Sequence, residues 1–405
     1  MIKFREGVLY KMKTVGIICE YDPFHKGHLR QIELARKDGA DTVVCLMSGN
    51  STQRGSLACA DKYVRAEAAL LSGADLVLEL PYPYSTSAAE YFASAGVCIF
   101  DSLGIDELNF GSECGNIESL FEAARVTVSD EYVNNYKRIL DNDPDTGAAA
   151  AYAKAYAEVT GKAMPTSPND MLGVAYCRAA IKLNAKMRLT TVKREGAAFS
   201  ATDVGDNEYP SASAVRKLFS DMKYGEAFGH LPVASAECFK KAKDAGLFPT
   251  DINKLESAIL AFLRLAEPES FDGIADASDG LGRRLISSAK KATSLDELFL
   301  NAATKRYTDA RIRRAVLYSM TGVTVDDLRR PPEYTTLLAA NKRGREFLGA
   351  VPEDSVKIVT KPADAPSCRQ YRLSSKLDAL YTLSLPNPSG AEEFLRRRPK
   401  ISEND

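Results

Sequence analysis

The sequence predicts an α/β protein in which a parallel β-sheet comes first and a mainly α-helical segment follows. In the first third of the chain, short apolar runs rich in Val, Ile and Leu alternate with stretches that repeat apolar residues every three or four positions. Beyond about residue 222, amphipathic helical stretches predominate. Because 405 residues exceed the size of one ordinary core, we expect two domains, residues 12–222 and 223–405.

The strands of the sheet are predicted from apolar runs without polar alternation, which are typical of strands covered on both faces. Four segments qualify: TVGIICE (14–20), DTVVCLMS (41–48), ADLVLEL (74–80) and DELNF (106–110). MRLTTVKR (187–194) is predicted to be one more strand. Between the first four lie helical patterns that each end in glycine, a common helix terminator. Such alternation predicts βαβ units with right-handed crossovers. Ligands in these sheets bind beyond the carboxyl ends of the strands, so we expect the site in the segments that follow them.

The rest of the chain is predicted to be mostly helical. Residues 116–160 and the segment after SPNDML show helical patterns, and YPSASAVRKLF (209–219) is predicted to be a turn followed by a helix. After residue 222, amphipathic helices are followed by a mixed ending of helix and strand.

Composition narrows the class of protein. The formal net charge is −1, which indicates no general attraction to nucleic acid, although residues 301–405 carry 19 Lys and Arg against 13 Asp and Glu. The eight cysteines are scattered without a C-x-x-C pair, which predicts free thiols rather than disulfides or a zinc site. We find neither an apolar stretch long enough to cross a membrane nor a secretory signal. We therefore expect no membrane partner and a cytoplasmic location.

A histidine pair marks the first junction between strand and helix. The chain has three histidines, and His25 and His28 lie in GIICEYDPFHKGHL (16–29), around Gly27 and after Pro23. A helix that starts there offers free N–H groups and the positive end of its dipole to an anion. Two imidazoles at that point can donate hydrogen bonds to a phosphoryl group and stabilise the charge that develops during attack on it. The alternative is that both histidines only cap the helix.

A second motif favours phosphate chemistry. H-x-G-H after the first strand of a Rossmann-like sheet resembles the HIGH-type nucleotidylyltransferase superfamily, whose members bind ATP over this motif and release pyrophosphate. The second sequence signature of that superfamily is a serine-rich turn that ends in arginine. SASAVR (211–216) is similar to that turn: Ser211 and Ser213 match its hydroxyls and Arg216 its phosphate-binding arginine, whereas Ala212 departs from the usual serine. The alternative is an ordinary serine-rich helix start.

Six blocks narrow the resemblance to one family. GIICEYDPFHKGH, MSGNSTQRG, DLVLELP, FGSE, SPNDMLG and KRYTDARIRR occur in this order between residues 16 and 314. Together they closely resemble the tRNA(Met) cytidine acetate ligases of bacteria. The resemblance implies a Rossmann-like nucleotidylyltransferase domain and a mainly helical, basic, tRNA-binding domain. It also implies that acetate and ATP form acetyl-adenylate, and that the acetyl group passes to the N4 amine of the wobble cytidine of elongator tRNA(Met).

The resemblance assigns His25 and His28 as catalytic and names ATP-binding residues. Gly111 of FGSE, Asn169 of the PN dipeptide and Arg194 of VKREG match family positions, in addition to Ser211, Ser213 and Arg216. The family's ATP-binding loop corresponds here to Ile18, Cys19, Glu20, Tyr21, Asp22, Pro23, Phe24, His25, Lys26, Gly27, His28, Leu29, Arg30 and Gln31. Asp22 stands where the family usually has asparagine. Aspartate can make the same turn by accepting backbone N–H groups, but it adds a negative charge near ATP.

Basic residues in two segments are candidates for binding RNA. Arg54 follows the second strand in MSGNSTQRG, where a glycine-rich turn is the alternative explanation. KRYTDARIRR supplies four further cations that would track tRNA phosphates and make binding depend on salt: Lys305, Arg306, Arg311 and Arg314. The alternative for this segment is a solvated helix face.

Two acidic residues and the third histidine have mainly structural explanations. Asp61 is predicted to cap the helix that begins at Lys62, without a chemical role. Glu79 ends a strand before Pro81 and is predicted either to orient substrate or to cap the next loop. His230 lies alone and is predicted to be structural.

Three functions are compatible with these motifs. The first is the ATP-dependent tRNA ligase, with acetate and tRNA as substrates, ATP as the nucleotide, Mg²⁺ carried by the ATP phosphates and no metal cluster on the protein. The second is an adenylyltransferase for a small phosphorylated cofactor precursor, which fits both motifs but not the long segment after residue 222. The third is a non-catalytic nucleotide- or RNA-binding protein. The oligomeric state is left open.

Overall fold

The computed structural model describes residues 2–5, 8–143, 146–194 and 209–403. The described strands form a main sheet and a separate hairpin. They are β1 (Ile2–Arg5), β2 (Val8–Lys11), β3 (Thr14–Cys19), β4 (Thr42–Ser48), β5 (Leu76–Leu80), β6 (Glu107–Ser112), β7 (Arg188–Lys193), β8 (Tyr334–Ala340), β9 (Lys357–Val359) and β10 (Lys400–Ile401). β1 and β2 pair antiparallel ahead of the main sheet.

Helices cover both faces of the main sheet and most of the second half of the chain. They are α1 (Lys26–Lys37), α2 (Lys62–Leu71), α3 (Ala89–Ser102), α4 (Ile117–Thr127), α5 (Asp130–Asn142), α6 (Ala148–Thr160), α7 (Pro168–Leu183), α8 (Ala212–Ser220), α9 (Tyr224–Gly229), α10 (Val233–Asp244), α11 (Glu256–Leu265), α12 (Leu281–Lys291), α13 (Leu295–Ala302), α14 (Asp309–Thr321), α15 (Val325–Arg329), α16 (Lys342–Leu348), α17 (Arg369–Thr382) and α18 (Ala391–Leu395).

The predicted parallel sheet is confirmed, with five strands close to their predicted limits. Their order is β5-β4-β3-β6-β7, and each neighbouring pair is parallel. The chain moves outward from β3 to β5 and then returns to place β6 on the other side of β3. In doubly wound sheets, the ligand crevice lies outside the carboxyl ends of the strands where the order reverses. Here that position is between β3 and β6, where α1 begins.

The sheet also crosses the boundary predicted at residue 222. β8 pairs antiparallel with β5, and β9 and β10 pair with β8. A side-chain bond reinforces this edge, because Oγ1 of Thr335 donates to the carbonyl oxygen of Glu79 at 2.7 Å. Helices predominate after residue 222 as expected, yet the same segment completes the sheet of the first half. The limits of two domains stay a prediction.

Close packing on both faces holds the central strand β3. Val15 and Ile17 enter one hydrophobic core and Ile18 enters the other. Gly16 faces α3, and a Cβ atom added there would lie 2.6 Å from Cε2 of Phe100. Glycine therefore lets α3 approach the sheet closely.

Candidate active site

The loop between β3 and α1 places both histidines at the crevice. His25 caps α1, and its Nδ1 accepts a hydrogen bond from the N–H of Gly27 at 3.1 Å. His28 reaches back, and its Nδ1 accepts from the N–H of His25 at 3.3 Å. The two rings stack with their centroids 3.7 Å apart. The capping role is therefore present, but it uses only one nitrogen of each ring.

The other nitrogen of each ring is suited to binding an anion. Because Nδ1 accepts in both rings, a neutral imidazole carries its proton on Nε2, which is then a donor. Burial, assisted by the charges of Arg194 and Arg216, lowers the pKa of His25 to about 3. Burial, followed by His25 and Arg194, lowers the pKa of His28 well below its ordinary value. Both rings are thus neutral hydrogen-bond donors at pH 7.

One cleft joins the histidines to predicted residues on the far side of β3. His25, His28, Gly111 and Arg194 all line it. Glycine at position 111 allows Arg194 to pack closely against β6. A Cβ atom added there would lie 3.2 Å from Cγ of Arg194. Residues about 170 positions apart in the sequence therefore meet at the crevice that the strand order defines.

The SASAVR turn begins α8 and directs its arginine to the histidine loop. Oγ of Ser211 caps α8 by accepting from the N–H of Ala214 at 3.0 Å, as the helix-start explanation requires. Oγ of Ser213 accepts from Nη2 of Arg216 at 3.1 Å. Nη1 of Arg216 donates to the carbonyl oxygen of Asp22 at 2.5 Å. The second motif thus contacts the first through Arg216.

Asp22 accepts a backbone N–H as expected, but from a distant segment rather than from its own turn. Its Oδ1 accepts from the backbone N–H of Cys59 at 2.7 Å, and the residue is buried. Its Oδ2 lies 3.4 Å from Nη1 of Arg216. The additional negative charge is therefore paired with the arginine of the second motif.

Asn169 contacts the loop that follows β6 but is not among the described residues that line the histidine cleft. It is the second residue of α7, and its Nδ2 donates to Oε1 of Glu113 at 2.6 Å. The N–H of Asp170 donates to Oε2 of the same carboxylate at 3.0 Å. These bonds fasten the start of α7 to the loop that follows β6.

Arg65 is a positioning residue that the sequence patterns do not reveal. It is fully buried in α2, and its Nη1 donates to the carbonyl oxygen of Glu20 at 2.6 Å. Its Nε donates to the carbonyl oxygen of Ala60, and its Nη2 to that of Ser48. Arg65 therefore ties the ends of β3 and β4 together. A single arginine in an amphipathic helix normally indicates a solvated face, so no sequence signal distinguishes it.

A buried ionic cluster holds the loop after β4. Nζ of Lys62 lies 2.9 Å from Oε1 of Glu79 and 2.8 Å from Oδ2 of Asp378. Nδ2 of Asn50 donates to Oδ1 of Asp378 at 2.8 Å. Asp61 caps α2 as predicted. The carboxylate of Glu79 is buried and paired with Lys62 rather than serving as a cap.

Helix α14 directs two of its candidate RNA-binding arginines toward the protein. Nη2 of Arg311 lies 3.1 Å from Oδ2 of Asp279, and Nε of Arg314 lies 2.6 Å from Oδ2 of Asp276. Their side chains are 20% and 11% exposed, so both chiefly hold the loop before α12. The remaining candidates lie on the surface: Arg54, Lys305 and Arg306.

Across the described ranges, no group of three or more His, Cys, Asp or Glu side chains is placed to hold a metal ion. Among the helices of that same part of the chain, we find none with the length and apolar character needed to span a membrane.

Comparison with known proteins places the chain in a class and then in a family. A Rossmann-like sheet whose switch point carries an H-x-G-H helix start is the arrangement of a nucleotidyl transferase, and the HIGH Nucleotidyl Transferase family model matches residues 12–394. A tRNA(Met) cytidine acetate ligase of Acetivibrio thermocellus is 32% identical over 403 residues, covering 93% of this chain and 96% of the relative. One from Listeria monocytogenes is 34% identical over 360 residues, covering 88% and 91%. The chain belongs to the tRNA(Met) cytidine acetate ligase family, as its motifs predict.

Solved structures agree with the fold. Apo Thermotoga maritima TmcAL matches with a TM-score of 0.89 and 30% identity, covering 97% of this chain and all of that one. The same protein bound with alpha-thio ATP matches with a TM-score of 0.87 and 30% identity over the same coverage. The predicted fold class is confirmed. The individual roles assigned to residues stay predictions.

Proposed function

We propose that this chain is an ATP-dependent ligase that activates acetate as acetyl-adenylate and acetylates N4 of the wobble cytidine of elongator tRNA(Met). Relatives named for this activity, and the alpha-thio ATP complex of TmcAL, support the proposal. The observation that carries it for this chain is the neutral pair His25 and His28 in one cleft with Arg194. That cleft lies at the start of α1, whose positive dipole end favours phosphate, although the expected free N–H groups of its first turn already donate to His25 and His230.

In the first step, a carboxylate oxygen of acetate attacks the α-phosphorus of ATP. The bond between that phosphorus and the oxygen bridging to the β-phosphorus breaks, and pyrophosphate leaves with the electron pair. Nε2–H groups of His25 and His28 stabilise the charge that develops on the phosphoryl oxygens. Arg194 and Arg216 supply the positive charge. No protein nucleophile is required, because the carboxylate itself attacks.

In the second step, the exocyclic amine of cytidine attacks the carbonyl carbon of the mixed anhydride. The bond from that carbon to the phosphate oxygen breaks, AMP leaves, and the amine loses one proton as N4-acetylcytidine forms. We assign the adenosine to the region of Gly111 and Asn169, with Ser213 beside the phosphates. Mg²⁺ would arrive on the nucleotide phosphates. The basic surface residues Arg54, Lys305 and Arg306 remain candidates for contact with tRNA in the cytoplasm.

Replacement of His28 tests the proposed chemistry. His28→Asn keeps an acceptor for the N–H of His25 but removes the Nε2 donor, whereas His28→Gln can place an amide N–H near the position of Nε2. We expect acetate-dependent ATP–pyrophosphate exchange to fall about 10²- to 10³-fold in His28→Asn, the usual cost of losing one such donor, and less in His28→Gln. Exchange at the wild-type rate in both variants would contradict a catalytic role of His28.

The same assay separates the alternative functions. Exchange that requires acetate, together with acetylation of tRNA, supports the ligase. Exchange that requires a phosphorylated cofactor precursor and ignores acetate would indicate the adenylyltransferase. Nucleotide binding without any exchange, with or without tRNA, would indicate a binding protein.

A further inference from the structure

A second cavity, of about 600 Å³, lies apart from the histidine cleft. Helices α3, α5, α6 and α7 and the segment 328–332 enclose it. Tyr91, Tyr136 and Tyr152 contribute to its wall, and each is only partly buried. The rings of Tyr136 and Tyr152 meet edge to face, with centroids 6.2 Å apart and planes at 81°. Two aromatic faces at right angles form a corner in which a flat ring can stack on one of them.

Positive charge surrounds this aromatic corner. Four cations line the cavity: Arg178, Lys182, Arg329 and Arg330. Among the described residues of the lining, Glu90 is the only carboxylate, and it is shared by Arg178 at 3.2 Å and Lys182 at 3.4 Å. Nε of Arg178 is buried and has no hydrogen-bond partner among the described residues. The lining alone thus carries a charge of +3, and Asp326, which lies 3.7 Å from Nη1 of Arg329, reduces the local charge to +2, in a chain whose formal net charge is −1.

Aromatic faces beside cations match the chemistry of an unpaired nucleotide. Its base stacks on an aromatic side chain, and its phosphate pairs with Arg or Lys. An apolar peptide or lipid tail would make no use of four cations. Charge complementarity thus favours RNA as the occupant.

We propose that this cavity binds an unpaired nucleotide of the RNA substrate, other than the cytidine that is acetylated. The inference rests on the proposed function for the identity of the RNA. Helix α7 links the two places, since Asn169 in its first turn is bonded to the loop after β6, while Arg178 and Lys182 line the cavity. Asn169 and Lys182 are separated by about 20 Å along α7, a distance that several nucleotides of one RNA loop can bridge.

Stacking is tested with an RNA hairpin that has the sequence of the tRNA(Met) anticodon arm and carries 2-aminopurine at one loop position at a time. We expect the wild-type protein to quench the fluorescence of one position other than the acetylated one about threefold or more. Tyr136→Phe keeps the ring and should quench equally, whereas Tyr136→Leu should not. Equal quenching by the leucine variant, or quenching at no such position, would overturn the proposal.

Charge is tested by the double variant Lys182→Glu/Arg330→Glu, with Lys290→Glu/Lys291→Glu on the exposed side of α12 as the matched control. We expect the Kd for the same hairpin to rise tenfold or more in the first variant only. The slope of log Kd against log salt concentration should fall by about 0.7 for each lost contact to a single strand. Circular dichroism and thermal unfolding, which do not depend on the ligase reaction, report whether each variant is folded.

The outcomes separate this proposal from the ligase reaction. If both double variants acetylate tRNA with the same KM for tRNA, the proposed RNA site in the cavity is wrong and the proposed ligase function stands. If hairpin binding depends on the cavity residues but the wild-type protein shows no acetate-dependent exchange, the proposed ligase function is wrong and the proposed RNA site stands. Failure of the wild-type protein to bind the hairpin would overturn the cavity.

Discussion

His25 and His28 each use one ring nitrogen for structure, which leaves the other for the proposed chemistry. Nδ1 of each ring accepts a backbone N–H at the start of α1, which fixes the ring and leaves the proton on Nε2. In many sites a carboxylate or backbone carbonyl fixes the tautomer by accepting from Nδ1–H. Here backbone N–H groups fix the tautomer by donating to Nδ1, so the proton of each ring is on Nε2. Capping is therefore compatible with the proposed phosphate binding by the same pair.

Acid should destabilise the folded protein through His25. Its pKa is about 3 in the folded protein against an ordinary value of 6.5, so the unfolded chain binds more protons between these two values. The contribution to stability is complete above pH 6.5 and decreases as the pH falls, by about 1.4 kcal/mol per pH unit for one such group.

The variant His25→Asn isolates this effect, because asparagine is a good N-cap and does not titrate. Urea unfolding at pH 7.5 and 5.0 should show that wild type loses roughly 2 kcal/mol more unfolding free energy than the variant. An equal loss in both proteins would contradict the buried, neutral state of His25.

At the scale of elements, the site depends on how closely helices approach β3. Helix α1 follows β3, and Arg65 of α2 donates to the carbonyl groups of Glu20, just beyond β3, and of Ser48, the last residue of β4. On the opposite face, α3 packs against the strand over Gly16. The position of the histidine loop is thus set by packing on both faces of one strand.

Gly16→Ala should therefore weaken the fold. The new Cβ atom would lie 2.6 Å from the ring of Phe100, so α3 must shift, at a cost of about 1–3 kcal/mol for overpacking. Gly225→Ala in α9 is the matched control, because nothing lies within 4 Å of its added Cβ and alanine favours helix. Chemical denaturation of both variants measures the difference. A Gly16→Ala protein as stable as the control would show that α3 adapts freely.

At the scale of the whole molecule, the two halves of the chain share one sheet and one ionic cluster. β8 pairs with β5, and Asp378 of α17 reaches Lys62 beside the loop that follows β4. The pKa of Glu79 is raised by burial, while Lys62 opposes that rise. The C-terminal segment therefore contacts the carboxyl-terminal edge of the sheet directly, through strand pairing and through this ionic cluster.

Lys62→Met should be strongly destabilising. It would leave the carboxylates of Glu79 and Asp378 buried without their cation, which costs about 3–5 kcal/mol when one partner of a buried pair is removed. The triple variant Lys62→Met/Glu79→Gln/Asp378→Asn removes all three charges and should recover most of that loss. Chemical unfolding of the two variants is the measurement. A triple variant no more stable than Lys62→Met would show that the charges do not interact as a unit.

The sequence by itself determined the parallel sheet, the order of its strands along the chain and the histidine loop. These features depend on local patterns: apolar runs, helix periodicity and a strand followed by an H-x-G-H helix start. The family resemblance added Gly111, Asn169, Arg194 and Arg216, and the fold brings three of these to the histidines while Asn169 lies at the adjoining loop.

Only the tertiary structure decided which charged residues face inward. Arg65, Arg311 and Arg314 have the spacing of solvated helix residues, yet carbonyl groups or carboxylates of other segments engage each of them. The pairing of β8 with β5 and the contact of Asp378 with Lys62 join residues more than 250 positions apart. Periodicity reports which face of an element is apolar. It carries no information about which distant group satisfies a buried charge, because that partner is selected by the packing of the whole chain.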